Sequence, residues 1–214
     1  MNRLRLVLLM AVCGGIRAVA ETPAEADKTL QALLAGNQRF VAANFARPNQ
    51  TTARRIEVAQ GQHPVAAVLA CSDSRVPPEL LFDQGLGDLF VIRLAGNIPD
   101  DAALGSLEYA AEHLGVHLAV VLGHKRCGAV DAAVKSDHAP GHIQALVDAI
   151  LPAVAASKGM PGDALDNAVR ANVSQVSARL RAAAPILSEM VHEHHLKVVG
   201  AYYDLDNGKV TVLP

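Results

Sequence analysis

Two short segments of this 214-residue chain carry side chains suited to metal or nucleophile chemistry. Cys71-Ser72-Asp73-Ser74-Arg75 sets a thiol beside a carboxylate and a guanidinium, and His124-Lys125-Arg126-Cys127 sets an imidazole three residues from a second thiol. Cys71, His124 and Cys127 make a Cys₂His set. Three protein ligands with a fourth position left to water is the pattern of catalytic zinc, whereas structural sites use four. The same two cysteines also fit a disulfide or a pair of free thiols, particularly in an oxidising compartment, so spacing leaves both readings open. Asp73 stands near enough to Cys71 to become a fourth ligand and close the site. Arg75 changes that, because a guanidinium fork can hold a carboxylate bidentately and away from a metal. The freed oxygen could then accept a hydrogen bond from a metal-held hydroxide and orient it. A solvated Asp73–Arg75 ion pair, worth less than about 1 kcal/mol, is the plainer alternative.

The flanking pattern says how the two segments reach one place. Pro64 opens a continuous apolar run over 65–70 that leads straight into Cys71, and the run over 118–122 leads through Gly123 into His124. Runs of strand length with no polar alternation suit parallel strands buried on both faces, and 89–92 repeats the pattern. Functional groups in such sheets gather beyond the carboxyl ends of the strands. Helical periodicity covers 23–43, a short stretch ending near Gly61, 102–114, 143–156 with Pro152 as a kink or break, and 163–184. A last strand over 196–203, the turn Asp206-Asn207-Gly208 and a strand over 209–213 close the chain as a hairpin. The expected fold is α/β, a mainly parallel central β-sheet flanked by helices with an N-terminal helical arm, in one domain over 21–214.

Residues 1–20 read as a leader. Arg3 and Arg5 precede an apolar run from Leu6 to Ile16, and Ala18-Val19-Ala20 forms a small-x-small cleavage site before Glu21. The run is shorter than the roughly 20 apolar residues a spanning helix needs. Its removal predicts a periplasmic or secreted protein with no membrane anchor, takes Cys13 with it, and leaves Cys71 and Cys127 as the mature cysteines. A net charge of −2 and 3% aromatic residues offer neither the electrostatic footprint nor the stacking surface of a nucleic-acid binder. His192, His194 and His195 could shuttle protons or bind stray metal, with a solvated helix end as the ordinary reading. Asn49-Gln50-Thr51 and Asn172-Val173-Ser174 match the glycosylation triplet.

The sequence resembles the β-class carbonic anhydrases over nearly all of the mature chain. The family's Cys-x-Asp-x-Arg stands as Cys71 to Arg75 and its His-x-x-Cys as His124 to Cys127. The stretches Leu34 to Phe40, Phe90 to Asn97, Leu107 to Ala110 and Gly200 to Leu205 are similar to family segments in the same order. Leu94 stands where many members have Asn or Val. The resemblance implies one zinc per subunit held by Cys71, His124 and Cys127, hydroxide as the fourth ligand, and Asp73 oriented by Arg75. It implies reversible hydration of carbon dioxide to bicarbonate, with Gln62 donating to a substrate oxygen and Phe90 and Tyr109 lining the pocket, partly across subunits. It further implies a homodimer or homotetramer. Gln62 in its expected place favours the members whose zinc stays open near neutral pH over those in which the aspartate closes it. A carbon disulfide or carbonyl sulfide hydrolase on the same fold, and a non-catalytic zinc-binding protein, are the alternatives.

Overall fold

The computed structural model describes residues 23–214, so the leader expected over 1–20 and Cys13 lie outside the described residues. Among these residues, eight α-helices and five strands follow in the order α1 (Pro23–Val41), α2 (Thr52–Val58), β1 (Ala66–Ala70), α3 (Pro78–Leu81), β2 (Leu89–Arg93), α4 (Asp101–Glu112), β3 (Leu118–His124), α5 (Gly128–Lys135), α6 (Ile143–Ser157), α7 (Ala164–Ala182), α8 (Ile186–His192), β4 (Lys197–Tyr203) and β5 (Val210–Val212), with a 3-10 turn at Ala95–Asn97 after β2. The sheet order is β2-β1-β3-β4-β5. All neighbours run parallel except β5, which pairs antiparallel with β4 through the expected hairpin.

The uninterrupted apolar runs of β1 and β3 are explained by cover on both faces of the sheet. Ala67, Leu69, Ala119 and Val121 turn to one side and pack with Leu107 of α4, Val173, Val176 and Leu180 of α7 and Leu187 of α8. Ala66, Val68, Leu118, Val120 and Leu122 turn to the other and meet Ala26 and Leu33 of α1 with Leu81 and Phe82. A strand buried on both sides has no reason to alternate polar and apolar residues. The N-terminal arm is tied back by one buried side chain: Asn37 donates to Leu81 O and Gly208 O and accepts from the Val210 N–H.

Helix starts follow ordinary capping chemistry. Thr51, Asp100 and Asp163 precede α2, α4 and α7, and each accepts a backbone N–H from the first turn. Pro152, expected as a kink or break, does not break the helix: it lies inside α6, which runs to Ser157. Val147, Ile150 and Ala153 are buried on either side of it, and Gln175 of α7 donates to the Pro152 carbonyl at 3.1 Å. Packing against α7 therefore outweighs the lost helix hydrogen bond.

Gly123 admits α7 against the end of β3, because a Cβ there would lie 2.3 Å from Val173 Cγ2. Val173 is fully buried and too short to swing away. Gly123→Ala is expected to destabilise the fold by about 1–3 kcal/mol through overpacking. At roughly 2–4 °C per kcal/mol for a chain of this size, calorimetry would register a clear fall in melting temperature, and an unchanged one would mean that α7 yields freely.

Candidate active site

β1 and β3 are neighbours in space, with Ala70 paired to Leu122, although β2 lies between them in sequence. They form the point where the strand order reverses, and the crevice beyond their carboxyl ends is where parallel sheets place function. Cys71 leaves the end of β1, His124 is the last residue of β3, and Cys127 is the residue before α5. The Cys71 Sγ, Cys127 Sγ and a ring nitrogen of His124 all lie within 4.8 Å of one another, with all three residues buried. Among the described residues no other set of three histidines, cysteines or carboxylates converges in this way, so His192, His194 and His195 do not build a metal site.

Both cysteines are free, with sulfurs 3.9 Å apart. A disulfide needs about 2.05 Å, whereas two Zn–S bonds of 2.3 Å at a tetrahedral angle put the sulfurs about 3.8 Å apart. The disulfide reading therefore fails on distance. His124 supplies a second test. Its Nδ1 is 3.0 Å from Lys125 O, which assigns the proton to that nitrogen, and its Nε2 is buried with no hydrogen-bond partner. A buried imidazole lone pair facing two sulfurs suits a metal ion.

The charges of the sulfurs fit the same reading. A hydrogen bond from the Cys127 thiol, together with those from the backbone amides of Asp73 and Gly96, holds Cys71 well below the ordinary thiol range against the cost of burial. Cys127, which keeps the shared proton in a buried place beside that thiolate, is pushed up. A divalent cation would displace this one proton and balance the second thiolate. The Gly96 amide reaches Cys71 Sγ at 3.3 Å from a backbone with φ of 70°, a conformation that glycine adopts without penalty.

Asp73 is held away from this cluster. Arg75 Nε donates to Asp73 Oδ1 at 2.9 Å and Nη2 to Oδ2 at 2.7 Å, while the Arg75 N–H also donates to Oδ1. These bonds hold the Asp73 carboxyl down to about 2. Its Oδ2 nonetheless lies 3.9 Å from His124 Nε2, so the engaged carboxylate borders the metal position.

Three residues expected at the site are not joined to it within one chain. Gln62 is exposed in the loop before β1, Phe90 is half-buried on β2, and Tyr109 is 47% exposed on α4. Phe90 and Tyr109 touch each other, with ring centroids 6.2 Å apart, but no hydrogen bond or ring contact links any of the three to the Cys₂His cluster. One residue was missed. Arg93, at the end of β2, donates through Nε to Cys71 O at 3.0 Å and through Nη2 to Asp73 O at 2.5 Å, pinning the backbone that carries both side chains. The second glycosylation triplet is unusable, because Asn172 is buried and donates to Gly96 O.

Comparison with known proteins agrees with the geometry. A family model described as carbonic anhydrase matches residues 66–210. Carbonic anhydrase 2 of Mycobacterium tuberculosis is 40% identical over 186 residues, 85% of this chain and 90% of the relative. Among solved structures, the β-carbonic anhydrase CcaA superposes with a TM-score of 0.69 at 27% identity, covering 86% of this chain and 95% of that one. The Coccomyxa β-carbonic anhydrase in complex with acetazolamide gives 0.68 at 29% identity, covering 86% of each. The family match over most of the chain, the curated relative and the shared fold agree on one assignment: this chain belongs to the β-carbonic anhydrase family of enzymes.

Proposed function

We propose that the chain catalyses the reversible hydration of carbon dioxide to bicarbonate and a proton, with zinc held by Cys71, His124 and Cys127. The observation that carries the metal assignment is the buried, unpartnered Nε2 of His124 facing two sulfurs 3.9 Å apart. Zinc, when bound, supplies the Lewis acidity that makes a hydroxide nucleophile available near neutral pH. The protein's own part is to orient that nucleophile and to bind the substrate. Asp73 remains ionised and engaged by Arg75, so it can accept one hydrogen bond and no more than that, which selects a single direction of attack. In this arrangement Asp73 does not ligate the metal near neutral pH. Arg93 and the Gly96 amide tie the loop after β1 to the end of β2 and the residues that follow it.

Gln62, Phe90 and Tyr109 act on the substrate in an assembled oligomer, a homodimer or homotetramer in which a second copy completes the pocket. Support comes from the surface that a single chain leaves open. β2 is an edge strand, α2 buries none of its side chains, and Ile56 on it is 63% exposed. Light scattering on the purified chain should give a mass at least twice that of the monomer, and a strictly monomeric, active enzyme would exclude shared sites. Residues 1–20 act as an export leader, so the exported protein should begin at Glu21 by intact mass; a mass that retains Met1 would refute export by cleavage. No helix among the described residues is long and apolar enough to cross a membrane.

The direct test is stopped-flow hydration of carbon dioxide by the zinc-loaded chain at pH 8.5, beside metal analysis. One zinc per chain with rapid hydration is the expected result. One zinc per chain without hydration, or turnover of carbonyl sulfide or carbon disulfide in its place, would overturn the assignment.

A further inference from the structure

Only Lys125 and Arg126 separate the ligands His124 and Cys127, and their backbone carbonyls face the working groups. Lys125 O accepts a hydrogen bond from the His124 Nδ1–H, which turns the opposite nitrogen toward the sulfurs. Arg126 O lies 3.5 Å from Arg75 Nη2, the same nitrogen that grips Asp73. Between these two carbonyls the chain passes through a φ of 54° at Arg126. That left-handed conformation is unfavourable for a residue with a Cβ and persists only where its surroundings impose it.

A carboxylate from 80 residues away grips both residues of this turn. Asp206 accepts from Arg126 Nη1 at 3.0 Å and Nη2 at 2.5 Å, a two-point match of fork to carboxylate, and from Lys125 Nζ at 2.8 Å. Asp206 is itself set in place. Its N–H donates to Asp204 Oδ1 at 2.8 Å, Asn207 donates to Asp204 Oδ2, and the Gly208 N–H donates to Asp204 O. The turn they form is clasped from beneath by the buried Asn37.

We propose that Asp206 is a positioning residue for the metal centre: by gripping both Lys125 and Arg126 it holds the His124–Cys127 turn in the left-handed form that aims the His124 ring and brings both ligands to one ion. The inference rests on the reading of Cys71, His124 and Cys127 as metal ligands. Arg126 and Asp206 are each about half exposed, and such pairs contribute little to global stability. Their effect should therefore appear at the metal and not in the melting curve.

The test uses the full chain carrying Asp206→Ala, Asp206→Asn or Asp206→Glu. Zinc affinity is read by chelator competition, and ligand geometry by the visible absorption of the cobalt-substituted protein. Asp206→Ala should weaken zinc about tenfold, the low end for a group acting behind a ligand, and change the cobalt bands while leaving the melting temperature near that of the wild type. Asp206→Asn, which keeps the shape and loses the charge, should behave similarly if the alanine variant does not fold. Asp206→Glu should recover most of the affinity. In an Arg126→Gly background the loss on Asp206→Ala should shrink to about twofold or less, because glycine takes a positive φ unaided. A wild type that binds zinc beside an Asp206→Ala variant of equal affinity and identical cobalt spectrum overturns this inference alone. An equal loss with and without Arg126→Gly also overturns it. A wild type that binds no zinc overturns the ligand reading and this inference with it.

Discussion

Replacing Cys71 with serine is expected to strip the chain of stoichiometric zinc and to lower carbon dioxide hydration by more than about a hundredfold, since losing a partner one step behind a ligand already costs 10–100-fold. The sulfur of Cys71 receives the Asp73 N–H at 3.4 Å and the Gly96 N–H at 3.3 Å, donors that favour a thiolate. A serine hydroxyl in the same place would accept those hydrogen bonds but would not ionise near neutral pH, so the site would lose an anionic ligand as well as a soft one. The fold should survive the change. β1 beneath Cys71 is held by paired strands on both sides, and the new hydroxyl finds backbone donors already waiting. Metal content, hydration rate and a circular dichroism melt on the same sample separate the effects. A Cys71→Ser chain with full zinc and full activity would remove Cys71 from the ligand set.

The parts of this site that could be read in the sequence are those whose chemistry and local pattern coincide. The apolar run into Cys71 and the apolar run into His124 announced two buried strands, and residues placed just past such strands share a crevice. The Asp73–Arg75 pair was legible because its partners are two residues apart, and the structure supplies the bidentate contact that spacing only allowed. Contacts between distant segments left no such mark. Arg93 looked like any charge at a strand end, and its grip on Cys71 O depends on β2 lying beside β1. Asp206 read as one member of a turn, which it is, while its hold on Arg126 exists only because β4 pairs with β3. Of the short helices, α2 was legible as the stretch ending near Gly61, whereas α5 was not. α5 starts directly after Cys127 with no side-chain cap, and Asp131 in its first turn is the one local sign of a helix start. The break that Pro152 allowed does not occur, since the local rule against proline in a helix is outweighed by packing on α7.

Arg75→Ala should be the second most damaging substitution, and the way it fails identifies what Arg75 does. Its hydrogen bonds hold Asp73 down to about 2. A carboxylate depressed in this way adds stability above its ordinary titration range and loses that contribution as pH falls through about 2, so Asp73 is charged throughout the working range. Without Arg75 the carboxyl would return toward the ordinary value of about 3.9, and Asp73 would still be charged at pH 7. Protonation therefore cannot account for any loss at neutral pH. Position can: Asp73 Oδ2 already lies 3.9 Å from His124 Nε2, and a carboxylate released from its clamp is free to turn into the metal position and occupy it. Misplacement of about 1 Å in an oriented group can cost a hundredfold, which is the loss expected in kcat/KM for Arg75→Ala at pH 8. Arg75→Lys is the decisive companion. It keeps the charge but replaces the planar fork by a point donor, so it should recover little of the lost rate if Arg75 acts by holding both carboxylate oxygens. An Arg75→Lys enzyme within about twofold of wild type would show that a nearby positive charge suffices, because the bidentate geometry that separates arginine from lysine would then have no bearing on catalysis.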